Sequence, residues 1–184
     1  MTDLVLKYYF MIFCSFTLCQ ISNPSTPKSF SVEISESINT FMTDDIDIEN
    51  LLKQDAQDLK LGHPFRFGYS FDVDIDFFDL ATVNTLPNGD KIYRLEINSK
   101  NAFSINLIFN QFYLLEDTEL YIYSKDKQNI IGAFSHLNNK SYKRFSTAPV
   151  FGDSIIIEYF EPSHNSSNSI INISNIINGY KNIF

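Results

Sequence analysis

Residues 91–112 carry a period-two alternation of apolar and polar side chains on either side of a short break. In K-I-Y-R-L-E-I-N, Tyr93, Leu95 and Ile97 share a face, and Arg94, Glu96 and Asn98 point the other way. After a break at Ser99-Lys100-Asn101, Phe103, Ile105, Leu107 and Phe109 share a face, with Ser104, Asn106 and Asn110 opposite. A period of two marks half-buried strands, because successive Cβ atoms of an extended chain point to opposite sides. Two such strands in tandem predict an antiparallel pair with one face in water.

The same grammar recurs along the chain. Phe65, Phe67, Tyr69, Phe71, Val73, Ile75 and Phe77 alternate with polar or small residues, as one long strand or two hinged at Gly68. Leu86-Pro87-Asn88-Gly89-Asp90 is a turn with a mechanism: proline presets φ, and Asn-Gly accepts positive φ. It predicts a hairpin between residues 81–85 and 91–98. Further strands are expected over 120–124, 130–134, 154–160 and 170–177. About eight to ten short strands with regular turn signals predict an all-β chain, an antiparallel β-sandwich or jelly roll. One short N-terminal helix is expected over 44–59. Ile48, Leu51, Leu52 and Leu59 fall on one face to lean on a sheet, and Asp44, Asp45 and Asp47 gather at its start. Residues 20–42, polar and broken by Pro24 and Pro27, read as an extended arm that pairs over 30–34. The expected divisions are 1–19, a signal peptide; 20–61, arm plus helix; and 62–184, the β domain.

The signal reading rests on Lys7 followed by Y-Y-F-M-I-F-C-S-F-T-L-C, too short to span a bilayer but suited to a signal's apolar region. Thr17 and Cys19 occupy −3 and −1 of a cut before Gln20, with a lipoprotein cut at Cys19 as the alternative. A secreted chain is expected: extracellular, periplasmic or at the cell surface. Both cysteines, Cys14 and Cys19, lie in this segment, so the mature chain is expected to have no disulfide and to depend on its core. Phe 18 and Tyr 10 supply that core. The net charge of −8 repels phosphate backbones, which argues against nucleic acid as a partner. No later segment is apolar and long enough to be transmembrane.

Few residues present chemistry. Asp72, Asp74 and Asp76 have the D-x-D-x-D spacing of a calcium loop, but Phe77 stands where the loop needs glycine and Val83 where it needs glutamate. The solvent face of a strand explains the spacing, with a Ca2+ site as the alternative; on either reading the three like charges predict a nearby Lys, Arg or metal. Gly152-Asp153-Ser154 begins like a trypsin-type nucleophile signature, yet Ile155 and Ile156 follow where an oxyanion hole requires glycines. It reads as a turn entering a strand. His63, His136 and His164 lack partners at metal-ligand spacing. With no nucleophile–base pair legible, the chain as it stands is not expected to be an enzyme. No cofactor other than Ca2+ is suggested. Tyr121, Tyr123 and Tyr142 offer flat apolar faces with polar tips, and are the candidate residues for binding a carbohydrate or peptide.

Taken together, residues 62–180 resemble the N-terminal, non-catalytic region of secreted bacterial lysyl-endopeptidase-like serine proteases of the trypsin type. The phrases that carry the resemblance include P-F-R-F-G-Y at 64–69, L-P-N-G-D-K-I-Y-R-L at 86–95, L-Y-I-Y at 120–123, T-A-P-V-F-G-D at 147–153 and Gly179-Tyr180. Thr26-Pro27-Lys28-Ser29-Phe30 is similar to the arm that precedes such regions. Tryptophans common in those regions, near the positions of Asn84 and Tyr93, are missing. The family's protease domain begins just after the position of Tyr180, and the sequence ends at Phe184, so no catalytic residue is carried over. The resemblance implies a secreted pro- or accessory domain whose partner is a protease domain or another protein. It also implies an exposed apolar patch through which the domain works.

Overall fold

The computed structural model describes residues 25–165 and 169–182. The expected signal peptide and the first residues of the arm, 20–24, lie outside the described residues. In chain order the elements are β1 (Asn39–Met42), α1 (Ile48–Lys60), β2 (Tyr69–Asp76), α2 (Phe77–Leu80), β3 (Thr82–Thr85), β4 (Lys91–Asn98) and β5 (Ser104–Tyr113). They continue with β6 (Glu119–Ser124), β7 (Ile130–Phe134), β8 (Phe145–Ser146), β9 (Val150–Phe151), β10 (Ser154–Glu161) and β11 (Ile170–Gly179). Short 3-10 turns occupy Lys28–Phe30 and His136–Asn138. The chain is mostly β, as the alternation predicts. No helix among the described residues is long and apolar enough to cross a membrane.

The strands form two sheets. In the first, β1 and β3 share one edge of β4, followed by β10, β6 and β7; in the second, β2, β11 and β5 run in order, with β8 and β9 sharing the far edge of β5. Among the described residues β1 is parallel to β4, and the other pairings are antiparallel. The hairpin forms as predicted: Thr85 pairs with Lys91, Gly89 takes φ of 87°, and the Asn88 amide binds Asp90.

One expectation is overturned. β4 and β5 do not pair with each other, because the break at Ser99-Lys100-Asn101 carries the chain from the first sheet to the second. Their apolar faces still meet. Leu95 and Ile97 of β4, and Ile105, Leu107 and Phe109 of β5, enter one apolar cluster with Leu120, Ile122, Ile155, Ile157, Ile173 and Ile176. Alternation identifies the buried face of a strand but not its hydrogen-bonded neighbour.

The other side of the first sheet is not wet either. The arm crosses it, so Arg94 and Glu96 of β4 and Glu158 of β10 are buried. A second, smaller cluster forms there from Tyr121, Tyr123, Ala133 and Ile156, with Phe30 and Ile38 of the arm packed on it. Phe30 meets Tyr123 edge-on at 5.0 Å. The arm's sheet pairing occurs at Asn39–Met42 rather than over 30–34.

The predicted strand over 65–77 is shorter at both ends. Asp76 accepts a hydrogen bond from the Phe78 amide at 2.9 Å, which caps α2 and ends β2. Before β2, a Cβ on Gly68 would stand 2.8 Å from the Asn178 carbonyl oxygen, so the backbones approach where only glycine fits.

Candidate functional site

α1 begins at Ile48 rather than at 44, with Asp47 accepting from the Asn50 amide at 3.0 Å. Of the four residues expected to lean on a sheet, only Leu51 is buried. Leu52 is 47% exposed and Leu59 73%; just beyond the helix, Leu61 is 71% and Phe65 67%. Gly62, at φ of 77°, turns the chain, and the His63 amide bonds back to the Asp58 carbonyl. That reversal brings Pro64 and Phe65 beside Leu52, Ala56 and Leu59 around a hollow of about 210 Å³. Large apolar side chains grouped on a surface mark a contact site more often than isolated ones do.

A single carboxylate fixes this face. Asp55 accepts from Arg66 Nη2 at 2.7 Å, from the Tyr180 hydroxyl at 2.7 Å and from Lys181 Nζ at 2.7 Å. The helix, the segment before β2 and the segment after β11 are therefore tied at one point. Lys181 also sits 4.5 Å from the centre of the Phe65 ring, a cation–π contact that ties Phe65 to the same cluster. Burial alone raises the Asp55 carboxyl, but hydrogen bonds from Lys181, Tyr180 and Arg66 outweigh it and hold it at about 2, below the ordinary 3.8. Burial, with the hydrogen bond to Asp55, pushes the Tyr180 hydroxyl up to about 12.

The depressed Asp55 value has a definite sign. A carboxyl whose folded value lies below its unfolded value stabilises fully above about pH 4, and that stabilisation is lost as pH falls through about 2. Amide exchange in α1, corrected for intrinsic rates, is expected to quicken below about pH 3 in the native chain. In Asp55→Asn it is expected to be fast already at neutral pH, with little further change on acidification.

The residues singled out by sequence are placed differently. Tyr121 and Tyr123 are not an exposed aromatic face: both are fully buried beneath the arm. The Tyr121 hydroxyl binds Ser25 at 2.8 Å and Glu119 at 2.7 Å, and that of Tyr123 binds Glu158 at 3.0 Å. Tyr142 is exposed, in the loop before β8, and is not part of that cluster. Asp72, Asp74 and Asp76 do lie on the outer face of β2. Asn175 donates to Asp72 at 2.7 Å and Asn172 to Asp74 at 3.0 Å, so amides of β11 meet two of the charges where Lys, Arg or a metal was expected. Asp76 caps α2. No group of three metal-ligating side chains occurs among the described residues. Gly152 turns at φ of 107°, and Ser154 donates to Glu96 at 2.5 Å as β10 begins. His63 and His164 pair with Asp58 and Asp117 respectively.

Sequence reasoning missed Asp55, Arg66, Tyr180 and Lys181. Asp55 lies between Gln54 and Ala56, and nothing local sets it apart from the other acidic residues of a solvated helix face. Arg66 comes back to it through the reversal at Gly62, but Tyr180 and Lys181 are remote in sequence, and only the return of β11 to β2 brings them in. Comparison with protein-family models, curated proteins and solved structures finds no match to this chain.

Proposed function

We propose that this is a secreted, non-catalytic β-sandwich domain, a pro- or accessory region of a trypsin-type lysyl endopeptidase, which works by presenting the α1 face to a protease domain. The observation that carries the reading is the exposed group Leu52, Leu59, Leu61 and Phe65. It adjoins Lys181, just past β11, where the resembled family continues into its protease domain. Two sheets over a shared apolar cluster support the sandwich assignment. The domain acts by contact rather than by a reactive group. Added to a lysine-specific trypsin-type endopeptidase, the purified chain is expected to slow cleavage of a protein substrate. Unchanged rates at saturating chain concentration count against the reading.

A second reading, a carbohydrate- or surface-binding module, is favoured by the outer face of β2 and β11. Asp72 and Asp74 stand there beside the amides of Asn175 and Asn172, the kind of hydrogen-bonding set that sugar hydroxyls engage. A glycan array probed with and without calcium tests it, and silence in both conditions removes it.

A further inference from the structure

The geometry points to a binding site for a small carboxylate with an apolar tail, in the cleft between the arm and the outer face of the first sheet. The cleft encloses about 610 Å³. Val32, Ile34 and Ile38 of the arm and Ile156 of β10 give it apolar walls. Arg94 of β4 lies at its base, only 6% exposed. Its Nη2 donates to the Ser35 carbonyl and to Asn84 Oδ1, but its Nε is buried with no acceptor. That Nε–H is a buried donor without an acceptor, a standing cost that one oxygen of a carboxylate recovers on entering beneath the arm, while both Nη2 hydrogens stay on Ser35 and Asn84.

The surrounding charges sharpen the choice of ligand. Glu158 pairs with Arg94 across β4 and β10, but its carboxylate is taken up by Ser29 and Tyr123. Glu96 is neutralised by Lys125 at 2.8 Å. Lys127 also lines the cleft, with its ammonium 4.8 Å from the Phe30 ring centre. Glu33 and Glu36, exposed on the arm, repel anions of higher charge and so favour a single carboxylate over phosphate.

Such a group is offered by a fatty acid or by the C-terminus of a peptide with an apolar last residue. The test follows the Arg94 Nε–H resonance by NMR as the full chain is titrated separately with hexanoate, N-acetyl-isoleucyl-leucine, hexylamine, inorganic phosphate and sodium chloride. Saturable shifts with either carboxylate, and none with the other three, are expected. Hexanoate alone indicates a lipid-derived ligand, and the dipeptide alone a peptide C-terminus. Arg94→Lys, read by ligand-induced shifts of backbone amides lining the cleft, is expected to weaken binding about ten-fold or more. Because Arg94 also holds the arm, Ile34→Trp serves as a second variant: it fills the cleft, leaves Arg94 in place and is expected to abolish binding without lowering the unfolding midpoint. The proposal is overturned if neither carboxylate shifts the resonance, if hexylamine or phosphate does so equally, or if Ile34→Trp binds as the native chain does.

Discussion

Phe109→Ala is expected to cost about 3–5 kcal/mol, the usual range for truncating a fully buried aromatic ring. Phe109 is fully buried, with ring centres 5.5 Å from Phe112 and 6.1 Å from Phe145. It comes from β5, yet shares its cluster with Leu120 and Ile122 of β6 and Ile155 and Ile157 of β10 in the other sheet. The ring's loss therefore removes contacts between sheets as well as within one, and β8, paired to β5 through only Ile108 and Phe109, has little else to hold it. Urea denaturation is the measurement. The midpoint is expected to fall sharply with the slope unchanged, since the surface exposed on unfolding stays the same. A cost below about 1 kcal/mol would contradict a core shared by both sheets.

Glu158→Ala is expected to release the arm. Glu158 has no exposed surface, and its carboxylate accepts from the Ser29 amide at 3.0 Å, the Ser29 hydroxyl at 2.5 Å and the Tyr123 hydroxyl at 3.0 Å. Alanine leaves buried donors unanswered, at about 1–3 kcal/mol for each group that water cannot reach. The arm's other ties there are lighter: the Ser25–Tyr121 hydrogen bond at 2.8 Å, a Lys28–Glu119 ion pair at 3.0 Å, Lys28 over the Phe160 ring, and the Phe30 ring on Tyr123 with Lys127 over it. Limited trypsin digestion reads the outcome directly, because Lys28 lies in the segment that lifts. Cleavage after Lys28 is expected to become rapid in Glu158→Ala while the two sheets resist. Glu158→Gln, which keeps one acceptor oxygen, is expected to fall between. Equal resistance in all three chains would show that the arm is held by something other than this carboxylate.

The buried faces were legible in the sequence, and the reach of the arm was partly so. In 91–98 and 103–109 the period of two named Leu95, Ile97, Ile105, Leu107 and Phe109 correctly, but it put the half-exposed Phe103 on the buried face and passed over Ile92, which is fully buried. It could not name partners, which is why β4 and β5 fall in different sheets. L-Y-I-Y in β6 and I-I-I-E-Y-F in β10 show no alternation, and a strand apolar on both sides is a strand covered on both sides. Read that way, these segments foretell a layer over the outer face of the first sheet. Tyr121 and Tyr123 then belong beneath the arm instead of at a ligand's surface. The Asp72–Asp74 spacing was a strand face, but its neutral amide partners come from β11, about a hundred residues away along the chain, beyond the range of local pattern. α1 was foreseen, and its apolar stripe was real. What the stripe could not reveal is that Leu52 and Leu59 face outward while Leu51 is buried, with Asp55 and its three partners helping to fix how the helix sits.

That outward stripe is the centre of the functional reading, and one measurement addresses it most directly. The chain is titrated by calorimetry against a catalytically inactivated lysine-specific trypsin-type protease domain, alongside a Leu59→Asp/Phe65→Asp variant. Both substituted side chains are exposed, so the variant is expected to unfold at the native midpoint. A one-to-one complex with the native chain, weakened at least about ten-fold in the variant, is the predicted result, since charges placed in an apolar contact must be desolvated without a partner. No complex with the native chain, or equal affinity in the variant, would contradict the assignment of the α1 face as the surface through which this domain acts.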